Sequence, residues 1–369
     1  MKNNEKIIVA QIVGKWLGGG VESVVMNYYK NIDREKVQFD FICDEDSTSI
    51  PYDEIEKLGG RVIIVPPYQK LFKYHKELKK IFKQNNYKIV HSHINTLSVF
   101  SLFAAKCANI PVRIAHSHST TSPKEFKRNI LKNILKQFSK LFATDYFACS
   151  EKAARFQFGN KSVDNGQVVI INNAIDVNKF EYNEKIRKSI REELNIKEDE
   201  LVIGHIGRFV TVKNHCFIID IFNNICTTEK NIKLILAGDG PLIEDLKQKV
   251  KSLNLEEKVI FLGQCKEIHK IYQALDVFIL PSLYEGLPVV GVEAQASGLP
   301  CIFSNKMTKE VKILDSTKFL DIESGEEIWK KEILENLKNQ RIKNSKEILA
   351  KNNLDRKSVF QPELCAGGR

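Results

Sequence analysis

The sequence lacks any run approaching about 18 consecutive apolar residues, so no membrane-spanning helix is expected. The short apolar stretch near the N-terminus, Ile7 to Val13, has no small-residue cleavage site and leads directly into a glycine loop. It reads as a first strand and not as a signal peptide. Low-complexity tracts and repeats of solenoid period are also missing. Among the eight cysteines (Cys43, Cys107, Cys149, Cys216, Cys226, Cys265, Cys301 and Cys365) no two form a C-x-x-C. Cys265 and His269 are spaced as one ligand pair, but no second pair accompanies them. A disulfide framework and a structural zinc are therefore not expected, and the thiols suit a reducing, cytoplasmic compartment. Acids are in deficit: 46 Asp and Glu face 56 Lys and Arg, a formal charge of +10. A basic chain seeks an anionic partner, which is nucleic acid, anionic lipid or a phosphorylated substrate. The aromatic interleaving and recognition motifs of a nucleic-acid binder are not present, so no nucleic-acid partner is expected.

What is there is regular. A length of 369 residues suits two domains of ordinary size, and 43% apolar content supplies a core for each. Short β-rich runs alternate with longer stretches of helical period. One series of candidate strands is Ile7–Val13, Phe39–Cys43, Arg61–Val65, Ile89–His93, Val112–Ala115, Tyr146–Cys149 and Val168–Ile171. A second is Val202–Ile206, Lys233–Ala237, Val259–Leu262, Val277–Leu280 and Pro300–Phe303. Near-continuous apolar strands separated by helices indicate buried parallel sheets. The expected fold class is α/β, two doubly wound parallel-sheet domains. The turn-rich Asn172–Asp176, followed by a charged stretch, marks the boundary, giving domains of residues 1–175 and 176–350. Residues 351–369 form an atypical tail, because Ser358 to Arg369 has no amphipathic period.

Five segments carry candidate chemistry. Gly18-Gly19-Gly20-Val21-Glu22-Ser23 separates the first strand from a helix expected over Val24–Lys30. Glycines let backbone approach a ligand, and a helix start offers free N–H groups to an anion, although a tight turn would use the same residues. His91-Ser92-His93 and His116-Ser117-His118 close two strands, at the edge where open α/β sheets bind ligands. Alternation puts His116 and His118 on one side of the chain. Hydrogen bonding to sugar or phosphate, metal ligation and plain core packing all fit them. Gly207-Arg208 and Lys213-Asn214 flank a short loop before a helix over His215–Phe222. Two cations at a strand's carboxyl end suit a diphosphate, and a surface ion pair is the bland alternative. Ala237-Gly238-Asp239-Gly240-Pro241 and Phe261-Leu262-Gly263 each end a strand in glycine and read as turns. The most specific segment is Pro281 to Pro300. There Glu285 precedes a helix expected to start near Leu287, with Pro288 in its first turn, and Glu293 lies inside it. A carboxylate among small and apolar residues is costly unless it accepts hydrogen bonds, which vicinal hydroxyls would donate.

The glycine loop, Gly-Arg-x4-Lys-Asn, Ala-Gly-Asp-Gly-Pro and Glu-x7-Glu occur in an order that resembles family-4 retaining glycosyltransferases of the GT-B fold, over about residues 6–345. Among these the chain looks most similar to bacterial members that build capsular or exopolysaccharide. The resemblance implies two Rossmann-like domains facing across a cleft. It implies retaining transfer of a sugar, in the hexosyltransferase manner, from a nucleotide-diphosphate sugar. A UDP-sugar is the first expectation for the donor, and a glycan or polyisoprenoid-linked glycan for the acceptor. Glu293 would bind the ribose, and Glu285 with the backbone of Gly286 and Leu287 would hold the transferred sugar. Arg208 and Lys213 would contact the diphosphate, Gly19 and Gly20 would close against it, and His118 or His116 would face the reacting carbon. No cofactor and no metal are implied, because cations and a helix start can bind the charge that develops on the leaving phosphate. A nucleotide-sugar epimerase of the same architecture and an inactive sugar-nucleotide binder are the alternatives.

The basic charge is concentrated. Lys70 to Lys88 holds seven lysines and one acid, Glu77, and Pro123 to Lys140 holds six Lys or Arg and one acid, Glu125. The second stretch carries Phe126, Ile130, Ile134 and Phe138 at helical spacing, with Leu131 and Leu135 beside them. Either the stripe packs inward and the charges are solvated, or the first domain docks on anionic lipid at the inner face of the plasma membrane.

Overall fold

The computed structural model describes residues 6–119, 126–352 and 354. Thr120, Thr121 and the tail beyond residue 354 lie outside the described residues. The chain divides into two units, one ending at Asn173 and the next starting at Ala174.

The first unit is built on seven strands: β1 (Ile7–Gly14), β2 (Val37–Asp44), β3 (Arg61–Val65), β4 (Ile89–Ser92), β5 (Val112–Ser117), β6 (Asp145–Ala148) and β7 (Val168–Ile170). Their order across the sheet is β3-β2-β1-β4-β5-β6-β7, every pair parallel. Helices cover both faces, so central positions such as Ala10, Ile12, Ile42 and Val90 are fully enclosed. That double burial is why these strands read as apolar runs and not as alternating ones.

The second unit repeats the plan with β8 (Leu201–Ile206), β9 (Ile232–Ala237), β10 (Val259–Gly263), β11 (Val277–Leu280), β12 (Cys301–Ser304) and β13 (Thr317–Leu320). The order is β10-β9-β8-β11-β12-β13, again all parallel. Both sheets are doubly wound, as expected. In each, the winding reverses beside the first strand, between β1 and β4 and between β8 and β11. The carboxyl ends of the strands at such a reversal are the standard ligand position of doubly wound sheets.

Several elements differ from their sequence expectation. The helix after the glycine loop runs Gly20–Asn31, starting four residues early, with Gly19 as its N-cap. The helix holding Glu293 is Val289–Ala296, so Pro288 is its N-cap with a non-helical ψ of 115° and not a first-turn residue. The helix expected over His215–Phe222 continues to Thr228. β13 has no counterpart in the sequence reading. The stripe on the helix Phe126–Gln137 does not pack inward: Ile130, Leu131, Ile134 and the following Phe138 are exposed, and only Leu135 is buried. The side chain of Phe126 lies outside the described residues.

Candidate active site

In the second unit, the loops leaving β8 and β11 are stitched together. Asn214 takes the left-handed conformation (φ 59°) as N-cap of the helix His215–Thr228, a shape asparagine tolerates. Its Nδ2 donates to the Pro281 carbonyl at 3.3 Å, and the Leu283 amide donates to the Val212 carbonyl at 2.8 Å. These bonds bring Lys213 to Glu285: Nζ lies 2.5 Å from Oε1, in a partly buried pair. The sequence reading had sent Lys213 to a diphosphate and Glu285 to a sugar. The structure binds the two to each other, because the switch point makes neighbours of loops 72 residues apart. An ammonium has three donors and a carboxylate two oxygens, so two N–H groups and one oxygen remain for a ligand. Arg208 is exposed and makes no side-chain hydrogen bond or ion pair among the described residues.

The Ala237–Pro241 turn explains the position of Arg208. Gly238 has a φ of 137°, and a Cβ there would lie 2.1 Å from the carbonyl oxygen of Gly207. The Gly207 amide donates to Ala237 and the Phe209 amide to Asp239, both at 2.9 Å. The turn is thus a backbone clamp on the Gly207–Phe209 loop, a role the sequence reading did not give it. His205, on β8, is a core residue whose Nδ1 donates to the Ile279 carbonyl at 2.9 Å, and burial pushes its pKa down to about 3.

Glu293, on the helix Val289–Ala296, is half-buried. Tyr272 Oη donates to its Oε2 at 2.8 Å. Burial pushes the Glu293 carboxyl up to about 7, and the Tyr272 bond offsets only part of that. Gly286 and Leu287 lie buried between Glu285 and the helix. Tyr272 was not singled out from the sequence, and no local signal marks it.

In the first unit, Gly19 and Gly20 open the helix Gly20–Asn31. Glu22 stands in its first turn and its Oε1 accepts the Leu17 amide at 2.9 Å. The positive end of this helix therefore already carries a carboxylate.

The four histidines form one buried cluster. His91 Nε2 and His116 Nδ1 are 3.0 Å apart, as are His93 Nδ1 and His118 Nε2. The rings of His116 and His118 stack with centroids 4.0 Å apart. His116 is fully enclosed while His118 keeps 7% of its surface, so His118 is the one nearer an opening. Asn95 fixes the turn by accepting the His118 and Ser119 amides at 2.7 and 3.1 Å. Burial holds all four well below the usual histidine range, His91 and His118 at about 3, so they are neutral near pH 7. Ring nitrogens of His91, His93 and His116 fall within 4.8 Å of one another, which a metal would accept. His91 Nε2 and His116 Nδ1 are already bonded to each other, and no carboxylate or thiol joins the three histidines among the described residues. Asp44-Glu45-Asp46, at the end of β2, spells a D-x-D. There Asp46 pairs with Lys15 and Glu45 with Lys70, while burial pushes the Asp44 carboxyl up to about 6.

Residues 18–179 match the family described as Glycosyltransferase Family 4, and residues 186–355 match Glycosyl transferases group 1. EpsF of Bacillus subtilis (strain 168), a protein provisionally named a glycosyltransferase, is 36% identical over 314 residues, covering 84% of this chain and 82% of EpsF. The chain belongs to the glycosyltransferases. A second relative in this group is a UDP-Gal:alpha-D-GlcNAc-diphosphoundecaprenol alpha-1,3-galactosyltransferase of Escherichia coli. It is 28% identical over 317 residues, covering 82% of this chain and 80% of that protein. Among solved structures, Anabaena Alr3699/HepE in complex with UDP and glucose aligns over 98% of this chain and 99% of its own, with a TM-score of 0.81 at 18% identity. That likeness gives the glycosyltransferase the GT-B fold.

Proposed function

We propose that this glycosyltransferase moves a sugar, with retention at the anomeric carbon, from a UDP-sugar to a glycan or polyisoprenoid-linked glycan in surface polysaccharide synthesis. What supports the donor site is the Lys213–Glu285 pair, which joins the loops after β8 and β11, together with Arg208 on the first of those loops and the Tyr272-bonded Glu293 on the helix that follows β11. Glu293 accepts the ribose hydroxyls. The free oxygen of Glu285 accepts a hydroxyl of the transferred sugar, beside the backbone of Gly286 and Leu287. Arg208 and the two remaining N–H groups of Lys213 bind the diphosphate. His118 accepts a hydroxyl of the reacting sugar; His116, fully enclosed, supports its ring. Gly19 and Gly20, which open the helix Gly20–Asn31, approach the ligand through backbone. The relative that uses UDP-Gal and a diphosphoundecaprenol acceptor supports the choice of base and the lipid-linked acceptor.

Breaking the anomeric C–O bond moves negative charge onto the departing phosphate. Cations already in place bind that charge more strongly in the transition state than in the ground state, which lowers the barrier without a metal. The acceptor oxygen forms the new bond and its proton leaves with the nucleotide. A thermal-shift screen of UDP-, GDP- and ADP-sugars tests the donor: stabilisation by a UDP-sugar is expected, and stabilisation by another base alone contradicts it. NMR of the product linkage tests retention, which an inverted anomeric centre would exclude.

A further inference from the structure

Three neighbouring strands, β1, β4 and β5, each place one polar side chain into a single chain of hydrogen bonds. Gln11, on β1, is buried, and its Oε1 lies 2.8 Å from His93 Nε2. His93, just past β4, presents Nδ1 to His118 Nε2 at 3.0 Å. His118, just past β5, ends the chain with Nδ1 buried and without a partner among the described residues.

A neutral imidazole carries one N–H. The amide oxygen of Gln11 can only accept, so His93 must carry its proton on Nε2. Its Nδ1 is then an acceptor, which forces the His118 proton onto Nε2. What remains on His118 is a bare lone pair at Nδ1. A buried acceptor with no donor costs free energy until a ligand supplies one. Burial keeps both rings neutral across the working pH range, so the arrangement does not change with moderate acid.

We propose that Gln11 and His93 are positioning residues that lock His118 in its Nε2–H tautomer, making His118 Nδ1 an acceptor-only group for a substrate hydroxyl. The inference rests on the reading of His118 as a sugar-contacting residue and adds what sets its chemistry. An Nδ1–H tautomer would turn the same nitrogen toward a hydroxyl as a donor, competing with the hydroxyl's own proton. Of the chain's members, only His118 would touch substrate.

The test is long-range proton–nitrogen NMR of the full chain labelled at histidine. Wild-type His118 is expected as the Nε2–H form, and an Nδ1–H form overturns the proposal by itself. Gln11→Met keeps the volume and removes the acceptor. It is expected to give a mixture of His118 tautomers and a roughly tenfold loss of kcat/KM, the scale of one lost hydrogen bond. Gln11→Glu, which can still accept, is expected to keep the Nε2–H form. An unchanged His118 tautomer in Gln11→Met overturns the relay whatever the activity. The reading beneath it is tested separately: His118→Ala with undiminished kcat/KM removes His118 from the sugar and leaves the NMR result untouched. In a His118→Ala background, Gln11→Met is expected to cost nothing further, and an added tenfold loss overturns the proposal.

Discussion

Glu293 has a titration that can be read directly. Its folded pKa is raised to about 7 by burial, against 4.5 for the free side chain. Between those values the folded state holds a proton that the unfolded chain does not, so stability from this group falls as pH rises through the window. If ribose hydroxyls bind the carboxylate form, as proposed, donor binding must expel the proton. Calorimetry in buffers of different ionisation heat is expected to show close to one proton released per nucleotide at about pH 6 and almost none at about pH 8. Glu293→Gln should abolish the release, and equal release at both pH values would remove Glu293 from the ribose. Lys213 calls for a different test, since it pairs with Glu285 and is also proposed to bind the phosphate. Lys213→Ala leaves a partly buried carboxylate alone and is expected to cost about 1–2 kcal/mol in urea unfolding, below the figure for a fully buried pair. Turnover should fall roughly a hundredfold, as for loss of one preorganised donor. Adding Glu285→Gln should restore stability but not turnover. Recovery of turnover in the double variant would mean that Lys213 acts only on Glu285.

At the scale of elements, the donor loops are held by backbone against backbone. Gly238 sits where a methyl group would strike the Gly207 carbonyl oxygen, whereas Gly166, also at positive φ, has nothing within 4 Å. Gly166→Ala is therefore expected to cost only the strain of its backbone, about 1 kcal/mol, and Gly238→Ala at least about 2 kcal/mol because two loops must part. The distinguishing readout is the nucleotide-induced thermal shift. It should shrink in Gly238→Ala, where Arg208 is displaced, and persist in Gly166→Ala; an intact shift in both would separate the clamp from the site. These elements were largely legible in the sequence, since a strand buried on both faces betrays itself as a run such as Ile232–Ala237. β13 was not, because Thr317-Lys-Phe-Leu is a four-residue edge strand with a lysine in it. The helix starts at Gly20 and Val289 were misplaced because glycine and proline were read as turn or first-turn residues, and here they cap. Side-chain partnerships were the least visible. Gln11 and His93 are 82 residues apart and Lys213 and Glu285 72, and what joins them is strand order, which no local pattern encodes.

At the scale of the molecule, the charge of +10 is concentrated on the first unit, in Lys70–Lys88 and Pro123–Lys140. Rings tie the first stretch to the chain just past the second. His75, on the helix Leu71–Gln84, lies 4.9 Å from Phe103, which lies 5.0 Å from Phe142. On the first unit, large apolar side chains stand open: Phe72 is 92% exposed, Ile134 54% and Leu141 57%. Lysines flank them, and no described helix is long and apolar enough to cross a membrane. An apolar stripe among cations is the composition of a surface that lies on anionic lipid, where each basic residue near the headgroups contributes about 1 kcal/mol. Such a surface would bring the enzyme to a polyisoprenoid-linked acceptor. The chain is expected to co-sediment with vesicles containing phosphatidylglycerol, and not with purely zwitterionic ones, at low salt. If electrostatics bring it there and apolar insertion holds it, both added salt and Ile134→Glu should weaken binding, the substitution by roughly tenfold. Ile134 is exposed, so Ile134→Glu leaves the core intact, and transfer to a soluble acceptor analogue should be unaffected. Binding that falls with salt but ignores Ile134→Glu would indicate a charged surface only, and no binding to anionic vesicles at low salt would end the membrane reading.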